Sequence, residues 1–168
     1  MTSKGILFFI FLVGLISCNK TKTFEPTIEN SIYDSAKLLS KQQADSVFGI
    51  IKDLNKNVGS QMAVITIHNL NGQKIDEYSI NQAERLKIGR GKFDDGILLT
   101  VAVENREMRI EVGKGLELII KDEIASRINR LVIAPRFRQG KYGEGIYRGL
   151  DSIKYLIEMK RDLVGKRP

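Results

Sequence analysis

The sequence predicts an α/β fold, a three-layer α/β/α sandwich on a small mixed sheet. Three observations predict it. Two runs, "QMAVITIHNL" (Gln61–Leu70) and "GILLTVAVE" (Gly96–Glu104), are apolar along nearly their whole length, as strands covered on both faces are. A helix-patterned segment separates them, which implies parallel pairing through a right-handed crossover. A short turn then leads into an alternating run that adds an antiparallel partner. Strands buried on both faces need helices above and below. The length, 168 residues, and a hydrophobic content of 42% suit one domain.

The chain begins "MTSKGILFFIFLVGLISC". Lys4 forms a basic start, and Gly5 to Ile16 is an apolar run shorter than the roughly 20 residues a membrane-spanning helix needs. That is the length of a secretory leader. "Leu15-Ile16-Ser17-Cys18" resembles a bacterial lipobox, in which cleavage leaves Cys18 as a lipid-bearing N-terminus. The bland alternative is a plain leader with an incidental cysteine. Residues 1–17 are therefore expected to be a lipoprotein signal peptide, and 18–31 a polar tether. The expected setting is a bacterial envelope membrane, with the protein facing the periplasm or the exterior. The membrane is engaged through lipid on Cys18, since each buried methylene adds about 0.8 kcal/mol. Cys18 is the only cysteine, so no intramolecular disulfide can form.

The domain proper is expected over 32–161. Ser40 opens a helix, and "Ser40-Lys41-Gln42-Gln43" has the pattern of a capping box. Ala44, Val47, Ile51 and Leu54 then recur at helical spacing. After the first strand, a helix is expected from Lys74 to Ile88, stopped by Gly89 and Gly91. "ENRE" (Glu104–Glu107) reads as a hairpin turn. "MRIEVG" (Met108–Gly113) alternates as an edge strand does. Asp122 is a candidate N-cap for a third helix, which Pro135 bends or ends. A fourth helix is expected from Tyr142 to Arg161. Its glycines Gly145 and Gly149 lie one turn apart and are suited to close packing against the sheet. Residues 162–168 read as a flexible tail. No internal repeat is visible.

The formal charge is +7, or +6 once Lys4 is removed with the leader. The cations are scattered along the chain, which fits solubility and attraction to an anionic membrane better than nucleic-acid binding. No nucleic-acid partner is expected, because no basic strand carries the aromatic residues that stack bases.

Chemistry is expected on one rim of the sheet. Asp94 and Asp95 stand at the start of a core strand. The antiparallel neighbour brings "VGKGLE" (Val112–Glu117) back to the same rim, and the third helix starts there. Carboxylates on glycine-rich loops suit a hard divalent ion, calcium or magnesium, which takes six or more oxygens. The loop glycines Gly89, Gly91, Gly113 and Gly115 would let the backbone approach closely. The alternative is that Asp94 or Asp95 caps a turn before the strand, as Asp-Gly commonly does. Other schemes fail. His68 is the only histidine and falls toward the opposite rim. No G-x-S-x-G elbow, P-loop or H-E-x-x-H occurs. The lack of His and Cys argues against zinc.

Several segments together resemble the TPM domain family. They are "Ile32-Tyr33-Asp34", "Leu38-Leu39-Ser40", "Val64-Ile65-Thr66-Ile67", "Asp95-Gly96-Ile97-Leu98-Leu99", the run Arg109 to Glu117, and "Ile133-Ala134-Pro135-Arg136-Phe137-Arg138-Gln139-Gly140-Lys141-Tyr142". The resemblance covers about Ile32 to Ile157. It implies the same sandwich and a secreted or membrane-anchored setting. Members include calcium- or magnesium-binding proteins without established catalysis and a thylakoid acid phosphatase. The resemblance carries a metal or phosphatase site to Asp94 and Asp95, and more weakly to Glu117 and Asp34. Unlike many relatives, this chain has no C-terminal apolar segment or glycine-rich tail, and a lipid anchor would replace them. The leading expectation is a metal-binding interaction or maintenance module that meets another envelope protein. The alternatives are a metal-assisted phosphatase and a structural lipoprotein without a site.

Overall fold

The structure, a computed structural model, describes residues 30–166. The leader, Cys18 and most of the tether lie outside the described residues. Strand β1 (Ile32–Asp34) leads through helix α1 (Lys41–Val58) to β2 (Gln61–Ile67). Helix α2 (Ile75–Arg85) then crosses to β3 (Gly96–Ala102), and a tight turn returns the chain as β4 (Glu107–Val112). Three helices close the domain: α3 (Asp122–Ile128), the short α4 (Ala134–Phe137) and α5 (Tyr142–Met159). The sheet order is β1-β2-β3-β4. The first three strands are parallel and β4 runs antiparallel to β3.

The sandwich is the expected one, and its faces follow from strand alternation. Met62, Val64, Ile97, Leu99 and Ile110 join Val47, Ile51 and Leu54 of α1 and Ile146, Leu150 and Ile153 of α5 in the main core. Ala63, Ile65 and Leu98 face the other way, against Tyr78 and Ala83 of α2 and Leu86 just after it. Helices α1 and α2 thus lie on opposite faces, although both crossovers step in the same direction along the sheet. The two crossovers therefore have opposite hands, and one departs from the right-handed rule.

The capping box at Ser40 is present. The Gln43 N–H donates to Ser40 Oγ at 3.2 Å, and the Ser40 N–H donates to Gln43 Oε1 at 2.9 Å. Three features differ from expectation. Strand β1 adds a second parallel crossover, between β1 and β2. Asp122 is the first residue of α3 rather than its cap, and Lys121 stands at the cap without a side-chain bond. Between α3 and α4 the chain widens into a π-helical turn, Asn129–Ile133. That turn delivers Pro135 into the first turn of α4, where its missing N–H costs nothing. Pro135 thus marks a bulge and a restart.

The glycines of α5 do not meet the sheet. A Cβ on Gly145 would strike the Phe137 ring at 2.7 Å, and one on Gly149 would strike Ile133 Cδ1 at 2.5 Å. They let α5 pack against the α3–α4 segment instead. The end of the chain is also tied down. Leu163 and Val164 pack on the core, and the Gly165 N–H donates to Gly115 O at 2.8 Å.

Candidate functional site

The rim at the start of β3 is built by two glycine loops pressed together. Gly89, at φ 104°, turns the chain out of the α2 crossover. Its N–H donates to Gln61 Oε1 at 2.8 Å. Residues 90–94 form one tight turn, in which the Phe93 and Asp94 N–H groups both donate to Arg90 O at 2.8 and 2.7 Å. Asp94 ends the turn in the left-handed region, at φ 51°, which an aspartate tolerates better than most residues. The second loop lies against the first. The Gly115 N–H donates to Asp94 O at 2.9 Å. A Cβ on Gly115 would run into Phe93 O, and one on Gly113 into Asp94 O.

The adjacent acids have opposite surroundings. Asp95 is fully buried. Its Oδ1 accepts from the Arg90 backbone N–H at 2.8 Å. Its Oδ2 accepts from Arg90 Nε at 2.9 Å, from Ser60 Oγ at 3.1 Å and from Arg90 Nη2. The Arg90 guanidinium stacks 4.2 Å from the Phe93 ring centroid. It also fills the space beside Gly59, where a Cβ would clash with it. Gly59 is the C-cap of α1, so the cation also meets the negative end of that helix. The pair ties together the end of α1, the start of β2 and the start of β3. Asp94, by contrast, is half-exposed, and its carboxylate has no hydrogen-bond partner among the described residues.

Asp34 lies elsewhere. It pairs in register with Thr66 at the far end of the parallel strands. Its two oxygens accept from the Leu38 and Leu39 N–H groups, each at 2.9 Å, and from the Thr66 hydroxyl. It caps the loop into α1 and does not join Asp94. Glu117 is exposed beyond the second loop. The structure therefore brings Asp94, Asp95 and the glycines together and separates Asp34 from them. Among the described residues, no three His, Cys, Asp or Glu side chains gather where an ion could be held. The four expected ligands do not fit a single coordination shell, because Asp95 and Asp34 already accept protein hydrogen bonds at both oxygens.

Sequence reasoning missed what lies beside Asp94. An open groove of about 510 Å³ runs between α2 and the β3–β4 end of the rim. Glu84, Asp94 and Glu111 line it together with Lys87, Arg90 and Lys114. The signal for Glu111 is its polar position in the alternating run Met108–Gly113.

The match to a family model decides the relationship: the model of the TPM domain covers residues 32–156. The chain belongs to the TPM domain family. No curated protein matches it. Among solved structures, the N-terminal domain of a P. gingivalis protein is similar, with 27% identity and a TM-score of 0.73, over 78% of this chain and 83% of that one. The BA42 protein of Bizionia argentinensis shares the fold at 22% identity and a TM-score of 0.62, over 77% of this chain and 91% of that one. The N-terminal domain of cg2496 from Corynebacterium glutamicum does so at 12% and 0.61, over 74% and 78%. The TPM domain here thus shares its sandwich with these bacterial structures.

Proposed function

We propose that the chain is a bacterial envelope lipoprotein whose TPM domain is an interaction module, carried on a short tether from lipid on Cys18. The observation that carries the reading is the bond between Asp95 and Arg90. It fixes the rim loops by protein contacts alone, so the rim is a preformed surface. The residues left pointing outward, Lys92, Asp94, Lys114 and Glu117, mix charges in the manner of a docking face. Among the described residues no helix is long and apolar enough to cross a membrane, so the reading places membrane attachment at Cys18.

Calcium or magnesium enters this reading as a weakly held ion with Asp94 as its carboxylate. Few free carboxylates mean low affinity, as in extracellular calcium modules with Kd values of about 10⁻⁴–10⁻³ M. The phosphatase reading ranks below it, because the oxygens of Asp95 are occupied by Arg90 and Ser60.

Two experiments test the proposal. Calcium titration followed by NMR is expected to shift amides at 89–96 and 113–118, and Asp94→Asn is expected to remove the shifts. Unmoved amides in the folded protein remove the ion from the reading. Pull-down of the lipidated chain from envelope extracts is expected to recover a partner that Lys92→Glu with Lys114→Glu releases. A Cys18→Ser chain that stays in the membrane fraction overturns the anchor.

A further inference from the structure

We propose that the free edge of β4 pairs with β4 of a second copy of this chain, antiparallel and in one register. The two edges of the sheet are unlike each other. Strand β1 has three residues, a length that blunts an edge. Strand β4 has six and carries no proline or lysine; what guards it is the charge of Glu107, Arg109 and Glu111.

The ladder to β3 shows which groups are free. Gly113 pairs with Gly96, and its N–H donates to Gly96 O at 2.8 Å. Alternation then turns Glu111, Arg109 and Glu107 toward β3, and leaves the N–H and C=O groups of Met108, Ile110 and Val112 pointing away from the sheet. A groove of about 470 Å³ runs along this edge, between Met108, Arg109 and Ile110 on the strand side and the segment from Asp122 to Arg130 on the other. Ile110 lines it although its side chain belongs to the core. The outward residues named for docking, Lys92, Asp94, Lys114 and Glu117, lie off this edge, although Glu111 and Val112 also line the groove beside Asp94.

Charge selects the register. Outward groups can only pair with outward groups, so the permitted registers differ by two residues. Centring the pair on Ile110 sets Ile110 opposite its own copy and Met108 opposite Val112. Arg109, which within its own chain bonds Glu111 at 2.7 Å and Asp76 at 3.0 Å, then also faces Glu111 of the other copy, twice, at the close non-hydrogen-bonded positions where side chains approach to about 4.5–5.5 Å. Sliding by two residues one way sets Arg109 against Arg109, and the other way sets Glu111 against Glu111. Both shifts put like charges face to face, which destabilises a pair. The favoured arrangement is two-fold symmetric and makes one continuous sheet.

Sedimentation velocity of the full chain in detergent, across a concentration series, tests this. A monomer–dimer equilibrium is expected, with the Met108, Ile110 and Val112 amides gaining hydrogen-exchange protection as dimer forms. Glu111→Arg is expected to weaken dimerisation at least tenfold, and Arg109→Glu with Glu111→Arg together to restore it. Met108→Pro removes an outward N–H and no ladder bond, so it is expected to abolish the dimer while the monomer stays folded by circular dichroism. A chain that remains monomeric throughout, or a dimer that Glu111→Arg and Met108→Pro leave unchanged, overturns the proposal.

Discussion

Asp95 lies fully buried beneath Arg90, which donates to it from both its backbone N–H and its guanidinium. Asp94, one residue earlier, turns its carboxylate away from every such partner. The two acids are thus expected to behave oppositely on substitution. Breaking a buried pair by removing one partner costs about 3–5 kcal/mol. About a third of the Arg90 side chain remains in water (34%), so the lower end, about 3 kcal/mol, is expected for Asp95→Asn. Asp94→Asn keeps a residue that tolerates the left-handed backbone and is expected to stay within about 0.5 kcal/mol of the parent. Urea unfolding monitored by circular dichroism measures both. Equal losses at the two positions would show that Asp95 is not the structural member.

The glycines of the rim divide in the same way. Gly115 lies against Phe93 O, a backbone atom that cannot swing aside, whereas nothing lies within 4 Å of a Cβ on Gly91. Gly115→Ala is therefore expected to cost about 3 kcal/mol, the upper end of overpacking losses. Gly91→Ala is expected to stabilise by about 0.5 kcal/mol through the unfolded chain. Thermal melting of the two variants separates a glycine needed for close approach from one that is not.

The link between α1 and α5 makes stability depend on pH at both ends. Burial pushes the Glu158 carboxyl up, but hydrogen bonds from Lys154 and Asn57 outweigh it, and the group is held below the usual carboxylate value. The Lys154 ammonium is held above its usual value, chiefly by its hydrogen bond to Glu158. A lowered acid contributes stability that is present above its unfolded value and is lost as pH falls through its folded one. A raised base contributes stability that is present below its unfolded value and is lost as pH rises through its folded one. The pair should thus contribute fully near neutrality, by a few tenths of a kcal/mol in all, since lysine preceding glutamate is the less favourable order. Glu158→Gln is expected to flatten the acid limb of the stability profile below about pH 4.5 and leave neutral stability nearly unchanged. An acid limb identical to the parent's would remove this pair as a source of the slope.

Much of the fold was legible because periodicity reports burial. Val47, Ile51 and Leu54 mark α1, and the unbroken apolar run of β3 marks a strand covered on both faces. Strand β1 was not legible as a strand, since three residues are too few to show alternation. Its signal was Asp34, whose side chain caps the next loop through Leu38 and Leu39. The rim was legible as a place, because β4 had to return beside β3. Its internal chemistry was not. Spacing cannot say that Asp95 turns inward while Asp94 turns out, because that depends on the left-handed backbone at Asp94 and on Arg90 folding back five residues. The docked end of the chain was hidden for a similar reason. Its polarity suggested a free tail, while two apolar residues and one glycine were enough to fasten it.

That fastening gives the last prediction. Leu163 and Val164 are partly buried against the core. The Gly165 N–H reaches Gly115 O at 2.8 Å. A Cβ on Gly165 would meet the Phe93 ring at 2.5 Å, so only glycine fits between the end of the chain and the first rim loop. Truncation after Lys160 should expose the two apolar side chains and leave a rim carbonyl to water. Half-burial of two such side chains is worth about 2 kcal/mol, and that loss is expected in urea unfolding. Removing only 166–168 should change stability by less than about 0.5 kcal/mol. The amides of Phe93 and Gly115 should shift in the first truncation and stay in place in the second. If both truncations unfold at the same urea concentration as the full chain, the segment 161–165 rests on the rim without supporting it.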